Sequence, residues 1–352
     1  GFFQQHQALA QEIGNSYGEA NALMNMGNVY SYRGDYQQAA EFHQSALAIF
    51  LDIGDRQQMS HALNNLGLAY FNQGQTQEAI TKYEQALVIA DSVSDKRSQA
   101  NIRSNLGNAC RITGDIAQAL EHLEKARAID LEIGDVRHEA GTLVNLGILY
   151  EKREQYESAL NYYNKAAAIY KKLNDRRGKS QTLGNIGNVY TGLGQHQEAI
   201  AYHEQSLAID RELGDRKGEA DCLNNLGNAY SALGETKQAI SYYEQARAAY
   251  RAGGNHRGEG VVLSNLAVDY VMLGDLANAR SACEQAIVIA HEVNHHKGEA
   301  DANFNLSFVL HSMENIEEAI VHAERALQLY IGIESPLALR VKSKLAEWHQ
   351  ER

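Results

Sequence analysis

An asparagine recurs every 40 residues along this chain, at Asn25, Asn65, Asn105, Asn145, Asn185, Asn225, Asn265 and Asn305, with no slip in phase. Self-similarity at a period of roughly 20–50 residues points away from ordinary globular folds and toward stacked units, each burying its apolar face against its neighbours. The length, 352 residues, would otherwise suggest two or three domains. The unbroken period overrules that expectation and predicts one continuous array. Proline occurs once, at Pro336, and no Gly/Ser-rich linker interrupts the pattern.

Residues 55–94 stand for every unit. Leu63, Leu66, Ala69 and Tyr70 fall on one helical face, and Ala79, Ile80, Tyr83, Ala86, Leu87 and Ile89 form a second such face. Gly74 separates the two, so each unit reads as a pair of antiparallel helices with a short turn, and the fold class as all-α. The expected repeats are 15–54, 55–94, 95–134, 135–174, 175–214, 215–254, 255–294 and 295–334, with a half repeat over 1–14 and a C-terminal helix in 335–352. Gly34, Gly74, Gly114, Gly194, Gly234 and Gly274 sit where a helix should end in a left-handed residue. Asp55, Asp95, Asp135, Asp175, Asp215 and Asn255 are placed to cap the next helix, Asn15 and Ser335 share that phase, and His295 breaks the series. A row of glycines, Gly27, Gly67, Gly107, Gly147, Gly187 and Gly227, lies inside predicted helices and relaxes to Ala267 and Ser307. Helical glycine costs about 1 kcal/mol relative to alanine, so close approach of a neighbouring helix is expected there.

Spaced in this order, Leu63, Leu66, Gly67, Tyr70, Gly74, Ala79, Tyr83 and Ala86 resemble the signature of the tetratricopeptide repeat. The usual first-helix tryptophan is leucine here, Asp91 stands for the terminal proline, and the common period of about 34 is lengthened to 40. The long repeat is similar to the subgroup found in Pins/LGN polarity adaptors, kinesin light chain and bacterial signalling ATPases. The resemblance implies a right-handed superhelical solenoid in which the first helix of each pair lines a concave surface.

On that orientation the asparagine row faces inward. An amide offers a donor and an acceptor, as does an extended peptide backbone. With helices about 8–10 Å apart and a strand rising ~3.3 Å per residue, one asparagine would meet the ligand about every three residues. Bridging to the adjacent repeat would satisfy the same amides, and both uses are open. A second amide appears one turn on at Asn28, Asn108, Asn188 and Asn228, where other repeats carry Leu68, Ile148, Val268 and Phe308. One turn before the ladder the phase varies through His61, Asn101, Gly141, Gln181, Asp221, Val261 and Asp301, which marks it as a place for partner choice. A basic row, Arg97, Arg137, Arg177, Lys217, Arg257 and Lys297, lies eight residues before the ladder and would form one rim of the groove, about 12 Å along the helix axis. It could attract acidic side chains of a ligand or pair with the Asp caps. Near the C-terminus the inner phases turn apolar, with Val268, Met272, Phe304 and Phe308 as a candidate anchor pocket or as a surface for the final helix to cover. Asp269, Arg103 and Asn303 break core phases and need partners.

The net charge of -12 argues against nucleic acid or anionic membrane as the main partner. Cys110, Cys222 and Cys283 are too scattered for a disulfide framework and suit a reducing compartment such as the cytoplasm. No nucleotide loop, metalloprotease helix or nucleophile elbow is present, and His256, His291, His295 and His296 lack a metal-ligand spacing, so neither an enzyme nor a cofactor or metal is expected. The chain begins at Gly1 in mid-repeat, as a piece of a longer protein would. The functions that fit are a scaffold binding an extended segment of a protein partner, a regulatory array within a signalling ATPase or protease whose groove holds an effector or another domain, or a self-assembling spacer.

Overall fold

The computed structural model describes residues 2–351, so Gly1 and Arg352, the outer ends of the expected half repeat and terminal helix, lie outside the described residues. Among the described residues there are eighteen helices and no strand. They fall into two compact units whose boundary, Asn174 to Asp175, is also an expected repeat boundary. The first unit holds α1 (Phe2–Glu12), α2 (Ser16–Tyr32), α3 (Tyr36–Ile53), α4 (Arg56–Asn72), α5 (Thr76–Ser92), α6 (Lys96–Thr113), α7 (Ile116–Ile133), α8 (Val136–Lys152) and α9 (Tyr156–Lys172). The second holds α10 (Arg176–Gly192), α11 (His196–Leu213), α12 (Arg216–Ala232), α13 (Thr236–Ala252), α14 (His256–Met272), α15 (Leu276–Glu292), α16 (His296–Ser312), α17 (Ile316–Gly332) and α18 (Leu337–Glu351).

Within each unit every helix packs on the one before and the one after it. The first helices of successive repeats also touch, as α2 with α4, α4 with α6 and α6 with α8 in the first unit, and α10 with α12, α12 with α14 and α14 with α16 in the second. Second helices of successive repeats do not come that close. A stack tighter on one side is concave there, so the even-numbered helices from α2 to α8 and from α10 to α16 form the inner face of their unit.

The punctuation follows local chemistry. Asn15, Asp55, Asp95, Asp135, Asp175, Asp215 and Asn255 each accept a hydrogen bond from the backbone N–H three residues on, at 2.9–3.1 Å. This satisfies one of the donors that a helix start leaves open. His295 makes no such bond. Sequence reading missed a parallel set on the second helices: Asp35, Asp115, Asp275 and Asn315 cap α3, α7, α15 and α17. Helix ends are left-handed every 20 residues; where glycine is missing from that phase, Ser94, Glu154, Asn174, Asn294, Glu314 and Glu334 adopt φ of 51–62° instead.

The buried glycines are explained by side-chain volume more than by backbone contact. A Cβ on Gly147 would lie 2.4 Å from the Tyr163 ring, and one on Gly227 would lie 2.5 Å from Tyr243. Gly27 and Gly187 face His43 and His203, and Gly107 faces Leu123. The row relaxes where the facing residue shrinks: Ala267 and Ser307 stand at the phases opposite Cys283 and Ala323, all four buried. A large facing side chain thus requires glycine, and a small one admits a Cβ, as a close-packed interior demands. At the end of the second unit α18 buries Val341, Leu345 and Trp348. Trp348 meets Phe308 edge to face at 5.4 Å and stacks on His311 at 4.8 Å.

Candidate binding face of the first helices

All eight ladder asparagines lie on first helices, Asn25 exposed and the other seven half-buried. In five repeats the side-chain amide donates to the preceding repeat. Asn65 Nδ2 reaches Asn28 Oδ1 at 3.3 Å, and Asn105 Nδ2 reaches Asn64 Oδ1 at 2.9 Å. Asn225 Nδ2 reaches Asn188 Oδ1 at 3.1 Å, and Asn265 Nδ2 reaches both Asn224 Oδ1 at 3.2 Å and Asn228 Oδ1 at 3.1 Å. Asn305 Nδ2 lies 3.5 Å from the Ser264 carbonyl, which can only accept and so sets the orientation of that amide. The second amides Asn28, Asn188 and Asn228 thus serve as acceptors for the ladder. Among the described residues, Asn25, Asn145, Asn185 and Asn108 make no side-chain hydrogen bond, and the Oδ1 atoms of the five bridging ladder residues accept none.

The variable phase one turn earlier is tied to the scaffold in several repeats. His61 Nε2 lies 2.9 Å from Ser98 Oγ. Asp221 accepts from Tyr250 Oη and Asp301 from Tyr330 Oη, each at 2.5 Å, and Val261 is exposed. In the basic row, Arg97 pairs with Asp135 at 3.2 Å, Arg177 with Asp215 at 3.4 Å, and Lys297 with Asp301 at 2.8 Å. Arg137 also has an interaction partner, and Gln57, which holds the phase in an earlier repeat, donates to Asp95 at 3.0 Å. Burial would raise the Asp95 carboxyl, but bonds from the Ser98 N–H, Gln57 and the Ser98 hydroxyl hold it below its ordinary value.

Cavities open on this face in both units. The first, about 600 Å³, is bordered by His61, Asn64, Asn65, Arg97 and Asn101. The second, about 530 Å³, is bordered by Arg257, Asn265, Lys297, Asp301 and Asn305. Of the apolar candidates, Phe304 is buried, Phe308 is half-buried against Trp348, and Val268 and Met272 remain exposed around a further cavity of about 400 Å³. Covering by α18 is therefore partial.

The residues that break core phases find partners. Asp269 is 1% exposed and accepts from Ser231 Oγ at 3.0 Å; burial raises its carboxyl and that bond opposes the rise. Arg103 lies 3.8 Å from Asp91, and Asn303 donates to the Glu299 carbonyl at 2.8 Å and meets His322 Nδ1 at 2.9 Å. Sequence reading missed a buried network around Asp130, which lies 2.7 Å from His138 Nδ1 and accepts from Thr142 Oγ1 at 3.1 Å. It also missed the stacked pairs Tyr150–Tyr162, Tyr190–Tyr202 and Tyr230–Tyr242, each at 5.2 Å; the spacing of twelve residues was the available signal. Cys110, Cys222 and Cys283 are buried free thiols, and burial pushes Cys222 and Cys283 up to about 12. Among the described residues no helix is long and apolar enough to cross a membrane, and no group of three or more His, Cys, Asp or Glu is placed to hold a metal.

The tetratricopeptide repeat family model matches residues 1–52, 58–132, 98–172, 138–212, 178–252 and 258–352. No curated protein matches the chain. Among solved structures, a signal-transduction ATPase of the STAND class with a tetratricopeptide repeat sensor, from Pyrococcus horikoshii, is 18% identical with a TM-score of 0.72; the match covers 97% of this chain and 54% of that one. BtubC (BKLC) from P. vanneervenii is 21% identical over 62% of this chain and 91% of its own, with a TM-score of 0.56. A Rap protein complexed with competence and sporulation factor is 17% identical over 95% and 98%, with a TM-score of 0.59. At these identities the structural likeness concerns the fold, whereas the family model spans nearly the whole sequence: the chain belongs to the tetratricopeptide repeat family.

Proposed function

We propose that this chain is a protein-interaction scaffold that holds an extended segment of a partner along the concave first-helix face of its units. Tetratricopeptide repeats are in general protein-interaction modules. The observation that carries the finer reading is the state of the ladder. In five repeats the amide donor is turned toward the preceding repeat and Oδ1 is left as an unpaired acceptor, and three of these residues, Asn65, Asn265 and Asn305, border the two cavities. A row of acceptors is suited to the N–H groups of an extended main chain and indifferent to its sequence. The bridging bonds hold each amide in place before a ligand arrives, which lowers the ordering cost of binding. On this reading the partner is a protein, without nucleic acid, membrane or cofactor, and the setting is a reducing compartment such as the cytoplasm.

A second reading is favoured by the STAND protein with its repeat sensor, a match that covers 97% of this chain. Here the same face would hold an effector or another domain of a larger signalling protein. Both readings use one groove, and one experiment tests it. Peptides selected from a displayed random library against the chain are measured by fluorescence polarisation with wild type and with Asn225→Ala/Asn265→Ala. Loss of two net hydrogen bonds of ~0.5–1.5 kcal/mol each predicts affinity down roughly tenfold. Unchanged affinity with a lowered melting temperature would assign the amides to stacking alone.

A further inference from the structure

The rim cations of the concave face follow a rule. Arg97 reaches Asp135 and Arg177 reaches Asp215, in each case the carboxylate that caps the next first helix. The rule requires an aspartate cap, and the caps of the last two full repeats are Asn255 and His295. Among the described residues Lys217 and Arg257 accordingly make no ion pair. Arg257 borders the cavity of about 530 Å³, whose wall also carries His295, Lys297 and, from α18, Arg340. The carboxylate in that wall, Asp301, is already engaged by Tyr330 Oη at 2.5 Å and Lys297 Nζ at 2.8 Å. Two guanidinium groups are therefore left at the cavity without a carboxylate, on a chain whose net charge is -12. Arg340 lies over the Phe304 ring at 5.9 Å, where this cavity meets the apolar one bordered by Val268, Met272 and Phe308. Phe304, Asn305 and Arg340 belong to both walls.

We propose that this end of the second unit anchors a partner segment carrying an acidic side chain followed within a few residues by a large apolar one. The carboxylate sits against Arg257 and Arg340, and the apolar side chain enters the neighbouring cavity. Guanidinium favours planar carboxylates. The exposed Val268 and Met272 supply an apolar surface that a polar ligand would leave unused. The net charge of -12 disfavours an acidic segment on the chain as a whole, and the two guanidinium groups without a carboxylate offset this here. The proposal rests on the peptide-binding reading and names its ligand class.

The probes are fluorescein-labelled peptide pools with a fixed Glu and a fixed Leu a few residues apart, and matched pools with Lys for Glu or Ser for Leu. The Glu/Leu pool is expected to bind at least tenfold tighter than either control, with affinity falling as salt rises. Arg257→Ala and Arg340→Ala should each weaken it severalfold. The decisive variant is His295→Asp, which restores both the cap and the carboxylate partner of Arg257. It should raise the melting temperature yet lower affinity for the Glu/Leu pool, a combination that misfolding cannot produce. Equal binding of all pools, still lost in Asn225→Ala/Asn265→Ala, would overturn this site and leave the general groove standing. No binding by any pool would overturn both. Displacement by inorganic pyrophosphate together with indifference to the Leu would overturn it in favour of a small-anion site.

Discussion

His203 is 0% exposed, neither ring nitrogen has a hydrogen-bond partner, and the ring fills the space over Gly187. Burial alone lowers its pKa from 6.5 to about 4, and His43 over Gly27 is lowered likewise. Both rings are neutral in the folded chain at pH values well above 4, while the unfolded chain takes up protons below about pH 6.5. The stability they confer is complete above pH 6.5 and is lost as pH falls toward 4. Linkage gives about 2 kcal/mol per histidine at pH 5 and ~3 kcal/mol at pH 4. The cure is visible in the same molecule. At the matching phase Tyr243 packs over Gly227 and donates to Asn228 Oδ1 at 2.8 Å. Asn188 and Asn28 stand at the corresponding phases for the two histidines. His43→Tyr/His203→Tyr should therefore be as stable as wild type or better at pH 7.5 and clearly more stable at pH 5. Because repeat arrays open locally, the measurement is native-state hydrogen exchange of α10 and α11, corrected for intrinsic rates, supported by urea titrations followed by circular dichroism. The wild-type opening constant there should rise ~30-fold more than that of the variant between pH 7.5 and 5. Parallel losses in the two proteins would refute the assignment of acid sensitivity to these rings.

Gly227→Ala should destabilise the second unit by about 1–3 kcal/mol, because the new methyl would lie 2.5 Å from Tyr243. Adding Tyr243→Cys, which copies the Ala267/Cys283 pair, should recover most of the loss in a double-mutant cycle read by thermal melting; additive effects would deny the volume exchange. Glu154→Gly and Glu314→Gly relieve φ values of 58° and 62°, and each should stabilise by about 0.5–1 kcal/mol in urea titrations.

Much of the fold was legible because each repeat has to satisfy the same few constraints. A helix start needs an acceptor, so Asp55 and its counterparts could be read as caps from phase alone. A turn to the next helix needs a left-handed residue, which Gly74 and its counterparts supply. The second-helix caps at Asp35, Asp115, Asp275 and Asn315 obey the same logic. They escaped notice because Gln75, Gln155, Gln195 and Glu235 interrupt that row and make no cap. What a single phase cannot reveal is the residue it meets. Gly147 is explained by Tyr163, sixteen positions on and in another helix, and periodicity reports both rows without saying that they touch.

The ladder shows the same limit and why it bears on function. Its phase placed the asparagines on first helices, but an amide has two ends, and their fates depend on neighbours 37 or 41 residues away. Where an amide or carbonyl stands in the preceding repeat, the Nδ2 donor is taken and the Oδ1 acceptor is left. Asn185, the first ladder residue of the second unit, makes no side-chain bond. Asn145 makes none although Asn108 and Ser104 stand at those positions, and Ser104 Oγ is instead 3.1 Å from Thr142 Oγ1. Variation beside the ladder and one turn from it therefore does two things at once. It sets which amides are fixed in place, and it sets which would keep a donor for the carbonyl of a ligand. On the proposed reading a ligand on this face would meet acceptors alone at the five bridging asparagines, and both donor and acceptor at Asn25, Asn145 and Asn185. The repeats that look alike by their asparagines are thus chemically unlike, and on the proposed reading specificity would be carried by what stands beside a residue that itself never changes.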